Sequence, residues 1–575
     1  MCPTSFLRKL ATRTGAPQSP LRGGKREIHP WAAVALCALA ATAVYLPTLG
    51  YSLVWDDIAL VALDRSTPWG AFTHSFWQSK AGLMGPDAYY RPLVNASLIT
   101  DRLIAGQRAA YSHLVNLLLH AAVVVCFGLL LCRLFSRFWP VLVGGLLFGL
   151  HPAFADSVAY VSGRTDVLAG LGLAVALLGT VRWLGRQPWS AAVMVWVGFG
   201  VGVLSKETAA LFPVVALIWL LVSRDRRRLF PRDWILLAGL LVLLAGYLAA
   251  RRAVLGSVVA MNAWGSVAAN VALASHDFGR SLLLFLFPFW NRIFAWHSPV
   301  PAEASAYSLV TLVYLVVPLM LRRTRGSRNA RLAWFWGLAF LLPGVGLSSF
   351  GPLGRLLYLP GPGLVILLVS VVHRFTQGHR AAARLLTALS LTACVALAPI
   401  TLRRMQVWKN GYTLFRSITA QAPRNPIGHF NLGMELRVRG DVDGAIAELR
   451  KAIALDPGLA RAYANLGVLL QAKGDLDSAA VLYRRTLSEL PDYVPALVNL
   501  GILLYRQGDN AGAASELRRA VELAPDDATA AFNLARVYDR SDRPDSAAYF
   551  IGLAHELQPD NPQIRSFYLQ MQGGR

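Results

Sequence analysis

Charge is scarce in this chain, and cysteine is nearly missing. Only 15% of the 575 residues are Asp, Glu, Lys or Arg, against a hydrophobic share of 55%. An ordinary soluble domain carries about a quarter charged residues, so a water-soluble class is excluded. The mean hydropathy of +0.45 agrees. The five cysteines are Cys2, near the start, and Cys37, Cys126, Cys132 and Cys394 in apolar stretches; none follows Cys394. A disulfide framework or a Cys-based zinc site is therefore not expected. Acidic residues are the scarcer sign, 32 against 56 Lys and Arg, for a net charge of +24. The arginines stand in short clusters between apolar runs rather than on one folded domain. That pattern fits membrane orientation, so the expected partner is a lipid bilayer and not nucleic acid.

The apolar runs are what the chain has in abundance. Residues 1–30 form a basic segment with Arg8, Lys9, Arg13, Arg22, Lys25 and Arg26, expected in the cytoplasm, and a run from Trp31 to Leu49 follows. The next residues, GYSLVWDD, offer no small-residue cleavage site, which predicts an uncleaved first span. A span takes about 20 apolar residues, and Lys and Arg gather in cytoplasmic loops. The long loop 50–111 then lies outside. Spans follow near Leu114–Leu131, out to His151, back over Val167–Leu184, and out to Ser205. The chain returns to Arg224, Arg226, Arg227 and Arg228, then leaves near Trp234–Ala250. Tyr307–Leu321 must run inward to Arg322, Arg323, Arg325 and Arg328. The segment Val267–Pro288 is accordingly expected to be re-entrant or to lie along the outer interface. Leu332–Leu347, Leu356–Val372 and Leu385–Ile400 complete about eleven spans in a membrane domain over 31–404. The C-terminal region then falls outside, with Arg403 and Arg404 on the outer face against the charge rule.

After a connecting helix over 405–425, residues 426–562 repeat with a period of 34. Asn431, Asn465, Asn499 and Asn533 each precede a Leu; Ala445, Ala479, Ala513 and Ala547 recur; Pro457, Pro491, Pro525 and Pro559 close each unit. Small residues that let paired helices pack, with a Pro after the second, make the tetratricopeptide pattern, so four repeats should stack as a superhelix. Residues 563–575 are expected to be a tail. The fold class is all-α throughout. The asparagines either line an acceptor-binding groove, pairing with the backbone of an extended polypeptide, or merely solvate the inner surface.

Ionisable residues converge on the outer face, where their desolvation is costly. Asp56 and Asp57 follow the first span; as adjacent carboxylates one can hold a raised pKa and act as a base, or the pair can cap a helix. His113, Asn116 and His120 share one helix face. Two histidines alone are more often a buried hydrogen-bond network than a metal site, so no metal is expected. His151, Asp156, Arg164 and Asp166 follow the third span, Lys206 and Glu207 the fifth, and Arg355 and Tyr358 start the tenth. Arg91, Arg164, Lys206, Arg280 and Arg355 lie where cations should be depleted, which suits an anionic group such as a lipid phosphate.

WDD at 55–57, YYRPL at 89–93, Tyr111-Ser112-His113 with Asn116 and His120, HPAFADSVAYVSGRTDVLA from His151 to Ala169, SKET at 205–208, GRLLYLP from Gly354 to Pro360 and the repeats occur in one order. In this the sequence resembles the transmembrane and tetratricopeptide repeat-containing O-mannosyltransferases and their bacterial relatives, of the GT-C glycosyltransferase fold. The resemblance implies transfer of a sugar from a polyprenyl-phosphate donor to a hydroxyl of a protein acceptor, with inversion, on the non-cytoplasmic side of what is taken to be a bacterial inner membrane. It implies Asp56 or Asp57 as catalytic base, Asp56 by preference, with Arg91, Arg164 and Arg355 holding the phosphate and no cofactor. Two departures stand out: Gly354 where the family commonly has Glu, and Asp156 where it has Glu. The competing reading is a non-catalytic membrane-anchored scaffold that assembles envelope proteins.

Overall fold

The computed structural model describes residues 29–62, 68–73, 89–185, 189–223, 229–256, 267–289, 294–295, 301–321, 327–341, 351–352, 354–375 and 380–573. The basic segment up to residue 28 and the arginine clusters at 224–228 and 322–326 lie outside these residues. Within them the architecture is helical, apart from a two-residue antiparallel pairing of Phe294–Ala295 with Gly351–Pro352.

Each of the eleven apolar runs contains a helix. Pro30–Gly50, Ala109–Phe135, Val161–Leu184, Pro231–Leu255 and Arg384–Trp408 are long and apolar enough to cross a bilayer. The pair Phe138–Leu150 and Pro152–Ala159, bent by 43°, adds a sixth if counted as one span. Ser190–Ser205, Glu207–Ser223, Tyr307–Val317 and Gly361–Arg374 are shorter. A 12-residue helix such as Phe212–Ser223 reaches only about 18 Å against the roughly 30 Å hydrocarbon core, so helix length alone does not reproduce eleven crossings. The segment expected to be re-entrant or to lie along the outer interface is one continuous 20-residue helix, Val267–Leu286, with no chain reversal inside it, which removes the first of those two alternatives. It packs antiparallel on Pro301–Leu321, where Thr311 Oγ1 donates to the Ser275 carbonyl at 2.6 Å.

Small residues bring the central helices together. A Cβ on Gly172 would stand 2.5 Å from the Gly198 carbonyl oxygen, and one on Gly198 the same distance from that of Gly172. Arg164–Leu184 and Ser190–Ser205 therefore cross with their backbones in contact, the close approach that glycine permits in membrane helices. This places Arg164, Asp166 and Lys206 at one end of a rigid pair.

In the array, first helices Pro426–Val438, Ala460–Ala472, Val494–Gln507 and Ala528–Arg540 alternate with second helices Val442–Leu455, Leu476–Glu489, Asn510–Leu523 and Pro544–Leu557. Gly440, Gly474 and Gly508 end the first helices at φ between +82° and +89°, and Asp441, Asp475 and Asp509 cap the second ones. The fourth unit breaks the pattern: Asp542 takes the glycine's place at φ 56°, and Arg543 the cap's. The recurring alanines are fully buried. Residues expected as a tail form a further helix, Pro562–Gly573, with Ile564 buried against the last repeat. An array must cover its terminal apolar face, and this helix does so. At the other end, Leu414, Phe415 and Ile418 of Gly411–Gln421 and Leu432 of the first repeat share one core with the membrane helices.

Candidate active site

The two adjacent carboxylates are treated differently by the fold. Asp57 is fully buried and accepts from three backbone N–H groups: Ser162 at 2.7 Å, Val161 at 3.3 Å and Val54 at 3.4 Å. It pins the loop that follows Pro30–Gly50 to the loop that precedes Arg164–Leu184. Burial pushes its carboxyl up to about 8, opposed by those N–H donors and reinforced by the charge of Asp56. Asp56 stays partly exposed, and its Oδ1 is covered without a hydrogen-bond partner. Burial raises its pKa too, while the Tyr160 hydroxyl and the Arg355 guanidinium favour its charged form. Neither Tyr160 Oη nor Asp56 Oδ1 completes a hydrogen bond of ordinary length. Trp55, just before the pair, holds a left-handed φ of 51°. Such a conformation costs about 1–3 kcal/mol in a bulky residue and collects at functional sites.

Beside Asp56 lies a knot of cations around two carboxylates. Asp166, fully buried, accepts from Lys206 Nζ, from Arg355 Nε at 2.8 Å and from Ser157 Oγ at 3.3 Å. Arg355 also donates to the Ser162 carbonyl at 3.1 Å and to Thr165 Oγ1 at 2.9 Å. Glu207, next to Lys206, pairs with Arg91 at 3.0 Å and with Arg251 at 3.6 Å. Four cations thus face two carboxylates. The side chains of Arg91, Lys206 and Arg355 keep 13%, 15% and 19% of their surface exposed. An anion arriving there meets an uncompensated positive charge.

Arg164 is a correction to the phosphate-binding set. It is fully buried, and its guanidinium is consumed by Asn116 Oδ1 at 2.7 Å, Ser97 Oγ at 2.9 Å, the Ser112 carbonyl at 2.8 Å and Asp101 at 2.7 Å. Arg280, in Val267–Leu286, is half-buried and shares no described hydrogen bond or ion pair with the Asp166 and Glu207 knot. His113, Asn116 and His120 do share a buried face. Asn116 donates to the carbonyls of Val158, Tyr160 and Val161, holding that loop open toward Asp56. His120 Nδ1 meets Tyr358 Oη at 2.8 Å among aromatic rings, so both are framework. The His113 ring lies edge-on to Tyr51 with centroids 6.2 Å apart, and neither of its nitrogens completes a hydrogen bond of ordinary length. His151 stacks on Phe285 and bonds its carbonyl at 2.8 Å, tying Val267–Leu286 to the site loop. Among the described residues no group of three His, Cys, Asp or Glu stands close enough to hold a metal. In the array, Asn431, Asn465 and Asn533 each spend one amide N–H on the carbonyl four residues back, at 2.8–2.9 Å; these three and Asn499 form a largely covered polar row.

Sequence reasoning missed Arg251, Tyr160 and Trp408. Arg251 carried the same signal as its neighbours, a cation at the outer end of a span. Tyr160 and Trp408 are aromatic residues among many, and only the fold brings them together. Arg404, expected on the outer face against the charge rule together with Arg403, is neutralised by Asp156 through bonds of 3.0 and 2.5 Å.

Residues 96–248 match the family model described as dolichyl-phosphate-mannose-protein mannosyltransferase, and residues 433–474 and 498–562 match tetratricopeptide repeat models. Protein O-mannosyl-transferase tmtc2 of Xenopus laevis is 33% identical over 159 residues, 27% of this chain and 19% of that one. Protein O-mannosyl-transferase TMTC1 of Homo sapiens is 25% identical over 511 residues, 78% of this chain and 58% of that one. The match thus spans less than two thirds of either relative. Among solved structures, the crystal structure of MamA is similar over 26% of this chain and 86% of that one, at 21% identity and a TM-score of 0.25. The chain thus matches a mannosyltransferase model over part of its membrane domain and tetratricopeptide repeat models over its array, and it is similar to the protein O-mannosyl-transferases.

Proposed function

We propose that the chain transfers a mannosyl group from a polyprenyl-phosphate carrier to a serine or threonine hydroxyl of a polypeptide, on the non-cytoplasmic side of the membrane. The observation that carries this is the juxtaposition of Asp56, whose Oδ1 is unpartnered, with the cation-rich knot of Lys206, Arg355 and Arg91. The acceptor oxygen attacks the anomeric carbon as its bond to the phosphate oxygen breaks, and the configuration inverts. The hydroxyl proton passes to Asp56, a general base of the kind that contributes about 10²–10⁴-fold. The polyprenyl phosphate leaves with added negative charge, which the guanidinium and ammonium groups stabilise without rearranging. Asp57 keeps the loops in register rather than taking the proton. The domain limits, the eleven crossings, the periplasmic side of a bacterial inner membrane and presentation of the acceptor by the array's groove belong to the same reading.

Transfer from radiolabelled polyprenyl-phosphate mannose is the test, in membranes carrying wild type, Asp56→Asn or Asp57→Asn. Asp56→Asn should fall by about 10²-fold or more. Wild-type incorporation in that variant would remove Asp56 as the base. Absence of transfer by the wild type, with partners still captured by the repeats, would favour the scaffold.

A further inference from the structure

The link between the membrane domain and the array runs through the candidate site. Arg404, at the end of Arg380–Met405, is 4% exposed and grips both oxygens of Asp156. Trp408 Nε1 donates to Asp156 Oδ1 at 3.0 Å. Among the described residues, the hydrogen bonds to that buried carboxylate come from Arg404, at the end of the last membrane helix, and from Trp408, where the chain passes toward the array. The Trp408 indole is itself fully buried and stacks on Tyr160, with ring centroids 4.6 Å apart and planes 22° apart. Tyr160 carries its hydroxyl beside Asp56, and the Arg355 guanidinium stands 5.4 Å over its ring. In the segment just before Asp56, Ser52 N donates to the Lys409 carbonyl at 3.0 Å, and Phe415 packs on the left-handed Trp55 with ring centroids 6.1 Å apart. A tether that only carried the repeats would need none of these contacts.

Gly354 belongs to the same arrangement. A Cβ there would stand 2.4 Å from Asp156 Oδ2, 2.4 Å from the Ala153 carbonyl oxygen and 2.8 Å from Arg404 Nη2. The missing side chain lets the Arg355 turn close onto the clamped carboxylate. The glutamate common in the similar family could not fit without displacing the clamp.

We propose that Trp408 is a positioning residue for the transfer reaction: bonded to Asp156 and stacked on Tyr160, it holds the Tyr160 hydroxyl beside Asp56. The link is then part of the apparatus that aims the base. This rests on the reading of Asp56 as that base. The charged and titratable groups facing Asp56 are Asp57, Tyr160 and Arg355. Asp57 disfavours its charged form; the other two favour it. Letting the Tyr160 hydroxyl swing away removes one of the two favourable groups, so Asp56 ionises only at higher pH. The acid limb of the pH–rate profile must then move upward.

The test uses the full-length protein in membranes, with polyprenyl-phosphate mannose and a serine- and threonine-containing peptide. Trp408→Phe keeps a stacking ring and loses the indole N–H, while Tyr160→Phe removes only the hydroxyl. Both should lower kcat by about tenfold or more, since small misplacements of a reacting group are expensive. Both should leave the donor KM within about twofold and move the acid limb of kcat/KM in the same upward direction. A wild-type profile for Trp408→Phe overturns the proposal, and so does a lower kcat with an unmoved limb, the mark of a merely structural role. Should Trp408→Phe fail to accumulate, Tyr160→Phe decides, because it leaves the stack intact: an unmoved limb there is equally fatal. Undiminished transfer by Asp56→Asn would instead show that the underlying reading of the base is wrong.

Discussion

The candidate site of the membrane domain and the repeat array use charge in opposite ways. In the array, Lys473 with Asp443 and Arg519 with Asp492 join side chains 45–83% exposed, and the pairing of His429 with Glu448 in the first repeat is the covered exception. Its caps bond residues two or three positions away. At the candidate site the paired side chains are largely covered, and their partners are remote. Arg91 reaches 116 positions to Glu207, Arg355 reaches 189 to Asp166, and Arg404 reaches 248 to Asp156. Exposed pairs contribute up to about 1 kcal/mol, whereas breaking a buried one leaves a stranded charge. One region is stabilised by repetition. The other holds costly groups in place for chemistry, and the two should fail differently when cut.

The largest contrast is in activity. Asp56→Asn should cost about 10²-fold or more in transfer without changing the amount of folded protein, and Lys206→Ala or Arg355→Ala about 10²–10³-fold in kcat. Comparable mutations in the array, such as Lys473→Ala, should leave transfer per folded molecule unaltered. The pH–rate profile sharpens the point. Burial raises Asp56, so its acid limb should lie above the ordinary carboxylate value near 4, activity being lost as pH falls through it. A limb at or below that value would refute the burial argument.

Stability comes next. Arg164→Met strands Asp101, which is 5% exposed, and should destabilise the membrane domain by about 3–5 kcal/mol, seen as lost yield and a lowered Tm in detergent. Leu517→Ala, at a fully buried position between repeats, should cost about 2–5 kcal/mol and appear as faster amide exchange confined to the repeats, because each unit leans only on its neighbours. Asp542→Gly restores the turn residue of the other repeats and should stabilise the fourth unit by about 1 kcal/mol, slowing exchange there. Smallest of all, removing the Lys473–Asp443 pair should change array stability by less than about 1 kcal/mol, and less still at high salt.

This contrast also decides how much could be read from the chain. The glycine turns and Asp caps emerged with the structure, whereas the period of 34 specified the repeats themselves because its determinants are local. It misjudged only the last stretch, where the Pro562–Gly573 helix exists to cover an apolar face that the repeat count alone does not reveal. The outer-face motifs were legible as residue types, since ionisable groups beside apolar runs stand out. Their division of labour was not. Asp56 and Asp57 are identical in type and adjacent, yet only the loop carrying Ser162 determines which of them is tied down. Arg164 and Arg355 both lie among motif residues, and only packing shows the first consumed by Asp101 and Asn116 and the second partly open.

What the sequence alone determined was membrane embedding, helicity and the array. These follow from hydropathy and short-range periodicity, which act over a helix or a repeat. What only the tertiary structure decided was which charges remain available, how Arg404 is neutralised by Asp156, and that Trp408 meets Tyr160. Those depend on contacts between residues hundreds of positions apart, set by how helices pack rather than by what any one helix contains.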